Sequence, residues 1–155
     1  MIDSREVSKT PSIAANLDIG RRMMDAVNSK NLSLLDELLA PDYQNKQLEV
    51  YSLEDLKEVL RKQYAGFPDI HRTIDDIIAD EDSVWIKVRI TATHTDEYRG
   101  IEPTGAKIVM EAVPHYRIVD GKIVEGWSVW NPIPYLKPLG VIEYKGFPDE
   151  IHRPL

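Results

Sequence analysis

The stretch "SVWIKVRITATHT", residues 83–95, decides the fold. In an extended chain successive side chains point to opposite faces, so Val84, Ile86, Val88, Ile90, Ala92 and His94 share one wall. Trp85, Lys87, Arg89, Thr91 and Thr93 share the other. A helix would scatter the first set around its circumference, whereas a half-buried strand turns it toward a core. Residues 71–79, 106–119 and 122–131 repeat the pattern, rich in Ile, Val, Thr and aromatics. "DED" at 80–82 and Asp120-Gly121 read as hairpin turns, the second suited to type I′, and "DEYRGIEPTG" at 96–105 is a longer connection. The sheet is expected to be an antiparallel meander.

Upstream the period is helical. Ile13, Leu17, Gly20, Met24 and Val27 recur on one stripe, with Gly20 suited to close packing against a neighbour. Asn31 can cap a second helix whose Leu32, Leu35, Leu38 and Leu39 turn inward and which Pro41 closes. Residues 43–50 fit a short strand. "SLED" at 52–55 opens a third helix along Leu53, Leu56, Leu60 and Tyr64, ending at Gly66 and Pro68. Helices first and a meander afterwards make an α+β domain with three N-terminal helices on one face of the sheet. A polar arm at 1–12, a domain at 13–140 and a proline-bearing tail at 141–155 complete the expected layout.

Composition narrows the partners. A chain of 155 residues suits one domain, and the lack of cysteine excludes disulfides, thiolate nucleophiles and Cys-ligated zinc. A net charge of -7 with no Lys/Arg cluster argues against nucleic acid and anionic membranes. No apolar run approaches the ~20 residues that span a bilayer, and the first residues lack a signal-peptide core, so a cytoplasmic protein is expected. His71, His94, His115 and His152 show no paired metal-ligand spacing. No phosphate loop, dinucleotide fingerprint or G-x-S-x-G occurs, so cofactor-independent function is expected.

A curved sheet covered on one side leaves a cone that can hold a small hydrophobic molecule. By strand phase its inner wall would carry His94, Tyr116, Trp127 and Asn131, with Glu125 in phase with the last two. Tyr43, Asn45, Tyr64 and Phe67 would come from the helical side and its loops. Trp85, Trp130, Val109 and Val113 would then lie on the outer face, a pattern suited to a homodimer through it.

The strings "NSKNLSLLDELLAPDY" (28–43), "GFPDI" (66–70), "TATHTDEYRGIEPTG" (91–105) and "YRIVDGKIVEGWSVW" (116–130), in this order, resemble the SnoaL-like polyketide cyclase family. That family lies within the nuclear transport factor 2-like fold group. The resemblance implies a cone-shaped domain, a hydrophobic pocket and cofactor-free ring closure driven by an acid on the final strand, a few residues past the strand tryptophan. Trp127 is present and the matching place holds Asn131, which cannot exchange protons near neutral pH. Asn131 can donate a hydrogen bond to a developing oxyanion, with His94 or Glu125 moving the proton, or it can simply close the strand before Pro132. Two readings follow: a cofactor-free cyclase, isomerase or lyase acting on a hydrophobic carbonyl compound, or a non-catalytic module binding an apolar metabolite.

Overall fold

The computed structural model describes residues 13–146; the expected arm at 1–12 and most of the tail lie outside them. The chain runs α1 (Ile13–Ser29), a 3-10 turn (Leu32–Leu34), α2 (Leu35–Leu38), β1 (Leu39–Gln44), a second 3-10 turn (Lys46–Leu48), α3 (Leu53–Gly66), β2 (His71–Ala79), β3 (Ser83–Thr93), β4 (Lys107–Val119), β5 (Lys122–Trp130) and α4 (Ile133–Leu136). One five-stranded sheet has the order β1-β5-β4-β3-β2. β1 pairs parallel with β5, and every other pair is antiparallel.

The expected three helices are corrected in detail. α1 and α3 are full helices, but the second segment shrinks to a 3-10 turn and four α-helical residues. Leu39 leaves it in extended geometry and starts β1, so Pro41 sits inside an edge strand, where its missing N–H costs nothing. A fourth, short helix follows β5. Asn31 caps the 3-10 turn through Ser33 N, and Ser52 caps α3 through Asp55 N at 3.1 Å. Asp55 reaches back to Tyr51 N, one residue earlier than a capping box requires.

α1 lies on the sheet through Ile19, Met23, Met24, Ala26 and Val27. The stripe is rotated from the one the spacing suggests, and Ile13 is 50% exposed. A Cβ on Gly20 would stand 2.9 Å from Val84 Cγ2, so the glycine lets α1 seat against β2 and β3. Leu53, Leu56 and Leu60 of α3 close over the same core with Leu35 and Leu38. Lys57 is buried along its stem and brings its ammonium to Asp36 at 2.7 Å and Glu54 at 2.9 Å. Asp120 and Gly121 both have positive φ, 50° and 75°, as a type I′ turn requires.

Two bulges set side-chain direction. In β2, Ile74 opposes Val88 but Asp76 opposes Lys87, so Asp75 is the extra residue. In β5, Ile123 opposes Ile118 but Glu125 opposes Arg117, so Val124 is extra and everything after it changes face. Gly126, Ser128 and Trp130 stand opposite Tyr116, Pro114 and Ala112 on the inner face; Glu125, Trp127 and Val129 turn outward.

Two apolar clusters make up the interior. The larger joins the helices to the sheet with Tyr43 and Tyr116; the smaller gathers Phe67, Ile70, Ala92, Tyr98, Ile108 and Leu139. Asp69 secures the turn carrying Phe67 by accepting from Thr93 N and Oγ1, both at 2.6 Å. Those bonds hold its carboxyl below the ordinary value of 3.8. A depressed carboxylate stabilises the fold fully above the unfolded value, and the stabilisation is lost as pH falls through the lower folded one. Asp69→Asn is therefore expected to lower stability at pH 7 in urea unfolding, with the gap to the unsubstituted protein closing below about pH 4. A gap that persists into acid would show that the carboxylate charge is not the cause.

Candidate functional site

A partly open cavity of about 240 Å³ lies between the sheet and the C-terminal end of α3. Its floor is Ile90, Ala92, Ile108, Met110 and Ala112 of β3 and β4, continued by Ser128 and Trp130 of β5. Gln63, Phe67 and Ile70 close the helical side; Leu48, Tyr98, Arg99 and Tyr135 come from connecting segments. The volume falls just below the ~300 Å³ at which small-molecule sites usually begin, and above the ~150 Å³ that admits benzene. One or two rings fit such a space.

Its wall is aromatic. Phe67 meets Tyr98 edge-on at 5.1 Å and Tyr135 at 6.1 Å, and Tyr135 meets Trp130 at 6.0 Å, spacings at which rings attract one another. Burial, with the Tyr98 phenol beside it, pushes the Tyr135 phenol above its ordinary value, so it keeps its proton at neutral pH. Tyr98 is fixed by a two-residue bridge to Ile101, and the preceding Thr95 and Asp96 donate to Gly66 O at the end of α3. On the opposite side the Gln47 side chain acts as a piece of missing strand: Ser128 N donates to its Oε1 at 2.7 Å and its Nε2 donates to Ser128 O at 3.0 Å.

The charge on the wall is one-sided. Arg99 lines the cavity, and among the described residues no Asp or Glu does. Behind the wall, Arg72 stands opposite Ile90 on the inner face of β2. Its backbone is clamped by Asn28 through two bonds of 2.8 Å, and its Nη2 donates to Gln63 Oε1 at 2.5 Å. Burial pushes its pKa down, opposed by the Tyr64 and Tyr116 phenols, yet a guanidinium remains charged.

The expected site residues are dispersed. Phe67 lines the cavity. His94, fully buried, packs its ring 5.2 Å from Phe67, and its Nδ1 accepts from Thr104 N at 3.3 Å. Its buried Nε2 finds no partner among the described residues, and the ring stands behind the wall rather than on it. Tyr43 and Tyr116 belong to the solid core, where burial holds the Tyr43 phenol up at about 12. Tyr64 donates to Val27 O at 2.8 Å, tying α3 to α1. Asn45 accepts from Leu48 N at 3.2 Å and caps a turn.

Three placements are corrected. Trp127 does not face the cavity, because the bulge at Val124 turns it outward against His115 and Trp85, each ring centre 5.0 Å away. Glu125 turns with it and pairs with Arg117 at 3.3 Å at the surface. Asn131 is exposed past the strand end, where its Oδ1 accepts from Ile133 N at 3.1 Å and starts α4. His94 and Glu125 are thus not gathered around Asn131. Of the lining residues not expected, Ile90, Ala92, Ile108, Met110 and Ala112 were already legible as inner-face positions. Ser128 and Trp130 were hidden by the bulge, and Tyr98, Arg99 and Tyr135 sit in segments without periodicity.

Among the described residues no group of three His, Asp or Glu could hold a metal ion, and no helix is long and apolar enough to cross a membrane. The SnoaL-like polyketide cyclase family matches residues 18–139. AclR of Streptomyces galilaeus, a proposed hydroxylase, is similar at 34% identity with a TM-score of 0.76, covering 85% of this chain and 100% of AclR. IdmH of Streptomyces antibioticus, a proposed polyketide cyclase, is similar at 30% identity with a TM-score of 0.68, covering 80% of this chain and 97% of IdmH. A proposed SnoaL-like polyketide cyclase from Jannaschia sp. CCS1 has a TM-score of 0.78 over 88% of this chain and 99% of its own; at 15% identity it speaks for the fold alone. No curated protein matches. The α+β fold, with its helices on a mixed, mainly antiparallel sheet, agrees with these neighbours, and the chain belongs to the SnoaL-like polyketide cyclase family.

Proposed function

We propose that the chain is a small-molecule pocket protein whose cavity takes a hydrophobic, carbonyl-bearing compound of one or two rings and holds it with neutral donors. The observation that carries this reading is a cavity walled by Phe67, Tyr98, Trp130 and Tyr135, with no carboxylate among the described residues that line it. Aromatic walls favour flat, conjugated guests. The Tyr98, Tyr135 and Ser128 hydroxyls supply hydrogen bonds to a carbonyl oxygen. Of the two readings opened by the sequence, ligand holding is favoured over acid-driven cyclisation, since a positioned acid or base contributes ~100- to 10,000-fold to rate and no Asp, Glu or His among the described residues lines this wall.

The similarity to AclR and IdmH favours a second, catalytic reading, in which the paired phenols of Tyr98 and Tyr135 polarise the carbonyl and no cofactor is used. Trp130 makes the first reading measurable. Titration with a two-ring aromatic ketone is expected to quench tryptophan fluorescence saturably, and the quench should vanish in Trp130→Phe while persisting in Trp127→Phe. A quench carried by Trp127 would place the guest on the wrong face. Asn131→Asp is expected to add no turnover on a cyclisable polyketide-like ketone, because position 131 lies outside the cavity; any gain would restore the strand-end acid to the mechanism.

The outer face supports a homodimer. Trp85, His115 and Trp127 pack together there, and Ile78, Val109 and Val129 flank them at 63%, 60% and 60% exposure. Trp127→Glu should shift sedimentation at fixed concentration from dimer to monomer; a monomeric parent protein would end this reading.

A further inference from the structure

Among the described residues Arg72 has no counter-charge: no carboxylate pairs with it, and its buried Nη1 finds no hydrogen-bond partner there. An enclosed guanidinium left in this state weakens the fold unless something else offsets it. Nor is its position incidental, because Asn28 clamps its backbone on both sides and Gln63 takes its Nη2.

The Gln63 contact also orients an amide. Only the carbonyl oxygen can accept from a guanidinium, so Oε1 faces Arg72 and the NH2 group is the part left for the cavity that Gln63 lines. Among the described residues nothing accepts from that nitrogen. A donor polarised by a buried cation behind it, with the Arg99 cation on the same wall and no acid there among the described residues, makes the cavity electropositive within a protein of net charge -7.

We propose that the cavity's guest is an anion: an aromatic or conjugated carboxylate, or an enolate of the same shape, whose oxygen accepts from the Gln63 amide and supplies the charge that Arg72 lacks. This rests on the cavity being a ligand site and names the class of ligand. Arg72 acts through Gln63 and is a positioning residue. The carbonyl compound is thus a keto acid or an acidic phenol-type ketone rather than a neutral one.

The test compares 2-naphthoate with 2-naphthamide, equal in shape and different in charge, by calorimetry at pH 7.5. The expected result is at least tenfold tighter binding of naphthoate, with the preference lost in Arg72→Met and in Gln63→Leu and kept in Arg72→Lys. Arg99→Gln, which removes the second cation of the wall, should reduce the preference for naphthoate by no more than about threefold and leave it in place. Equal binding of the two probes to the unsubstituted protein overturns the charge assignment and leaves the cavity as a site. A preference that survives Arg72→Met but disappears in Arg99→Gln overturns the role of Arg72. Absence of binding by either probe up to its solubility overturns both this inference and the ligand site on which it stands. Should Arg72→Met not fold, the ratio measured on the parent protein and on Gln63→Leu decides alone.

Discussion

Gly126→Ala is expected to destabilise the fold by about 3 kcal/mol, the upper part of the range for overpacking a filled core. The added Cβ would stand 2.2 Å from the Tyr43 hydroxyl and 3.1 Å from Tyr116 Cδ1. Neither ring has room to retreat. Tyr43 is 1% exposed and Tyr116 9%, and both lie in the large cluster beneath the helices. For a domain of this size the loss corresponds to a fall of roughly 6 to 12 °C in melting temperature. The clash involves one oxygen, so it has a specific remedy: Tyr43→Phe removes it. In the double variant the cost of Gly126→Ala should shrink by half or more, a coupling that a double-mutant cycle reads directly. If the two substitutions prove additive, the phenol is not what the glycine accommodates. The same result would bear on strand phase, because only the bulge at Val124 brings Gly126 to the inner face opposite Tyr116.

That bulge marks where the sequence stops being legible. β3 keeps strict alternation from Val84 through Ala92, and β4 keeps it on the same face from Ile108 to Ile118, so their inner walls follow from hydrophobic period alone. β5 carries equally clear residues, but one extra residue at Val124 changes the face of all that follow, and a valine in "KIVEGW" gives no local sign of it. Trp127 and Trp130 therefore exchange places relative to the simple reading, and Glu125 and Asn131 leave the interior with Trp127. Asn131 shows the ambiguity in miniature: an Asn before a Pro closes a local turn as readily as it lines a pocket, and here it accepts from Ile133 N just ahead of α4. The helical stop and start signals at Asn31 and Ser52 were legible because capping is local chemistry. Tyr98, Arg99 and Tyr135 were not, since loop residues reach a cavity through tertiary anchoring, here to Gly66 O and the 98–101 bridge, which no periodicity encodes. Arg72 was hidden differently. Its phase is inward, but an arginine in a strand reads as solvated until its guanidinium is seen enclosed beside Gln63.

Filling the cavity should separate binding from folding. Ala112 lies on its floor at 7% exposure, between Val88 on one neighbouring strand and Trp130 on the other. Ala112→Phe places a ring in the space, and a guest of one or two rings must then be expelled or share a volume of about 240 Å³ that cannot hold both. Affinity for 2-naphthoate is expected to fall at least 100-fold, about 2.8 kcal/mol. Stability should change far less, because the new ring enters a void and not a packed contact, and the apolar area it buries offsets part of any strain. Val113→Phe is the matched control: it is the next residue on the same strand, it faces outward opposite Val129, and it should leave affinity within about twofold. The pair makes strand phase measurable in solution, since the two variants share the strand and the ring introduced and differ in the face they present. Equal effects, or a larger one from Val113→Phe, would move the binding site to the outer sheet face. A stable Ala112→Phe protein that binds as tightly as the parent would leave the cavity without a guest.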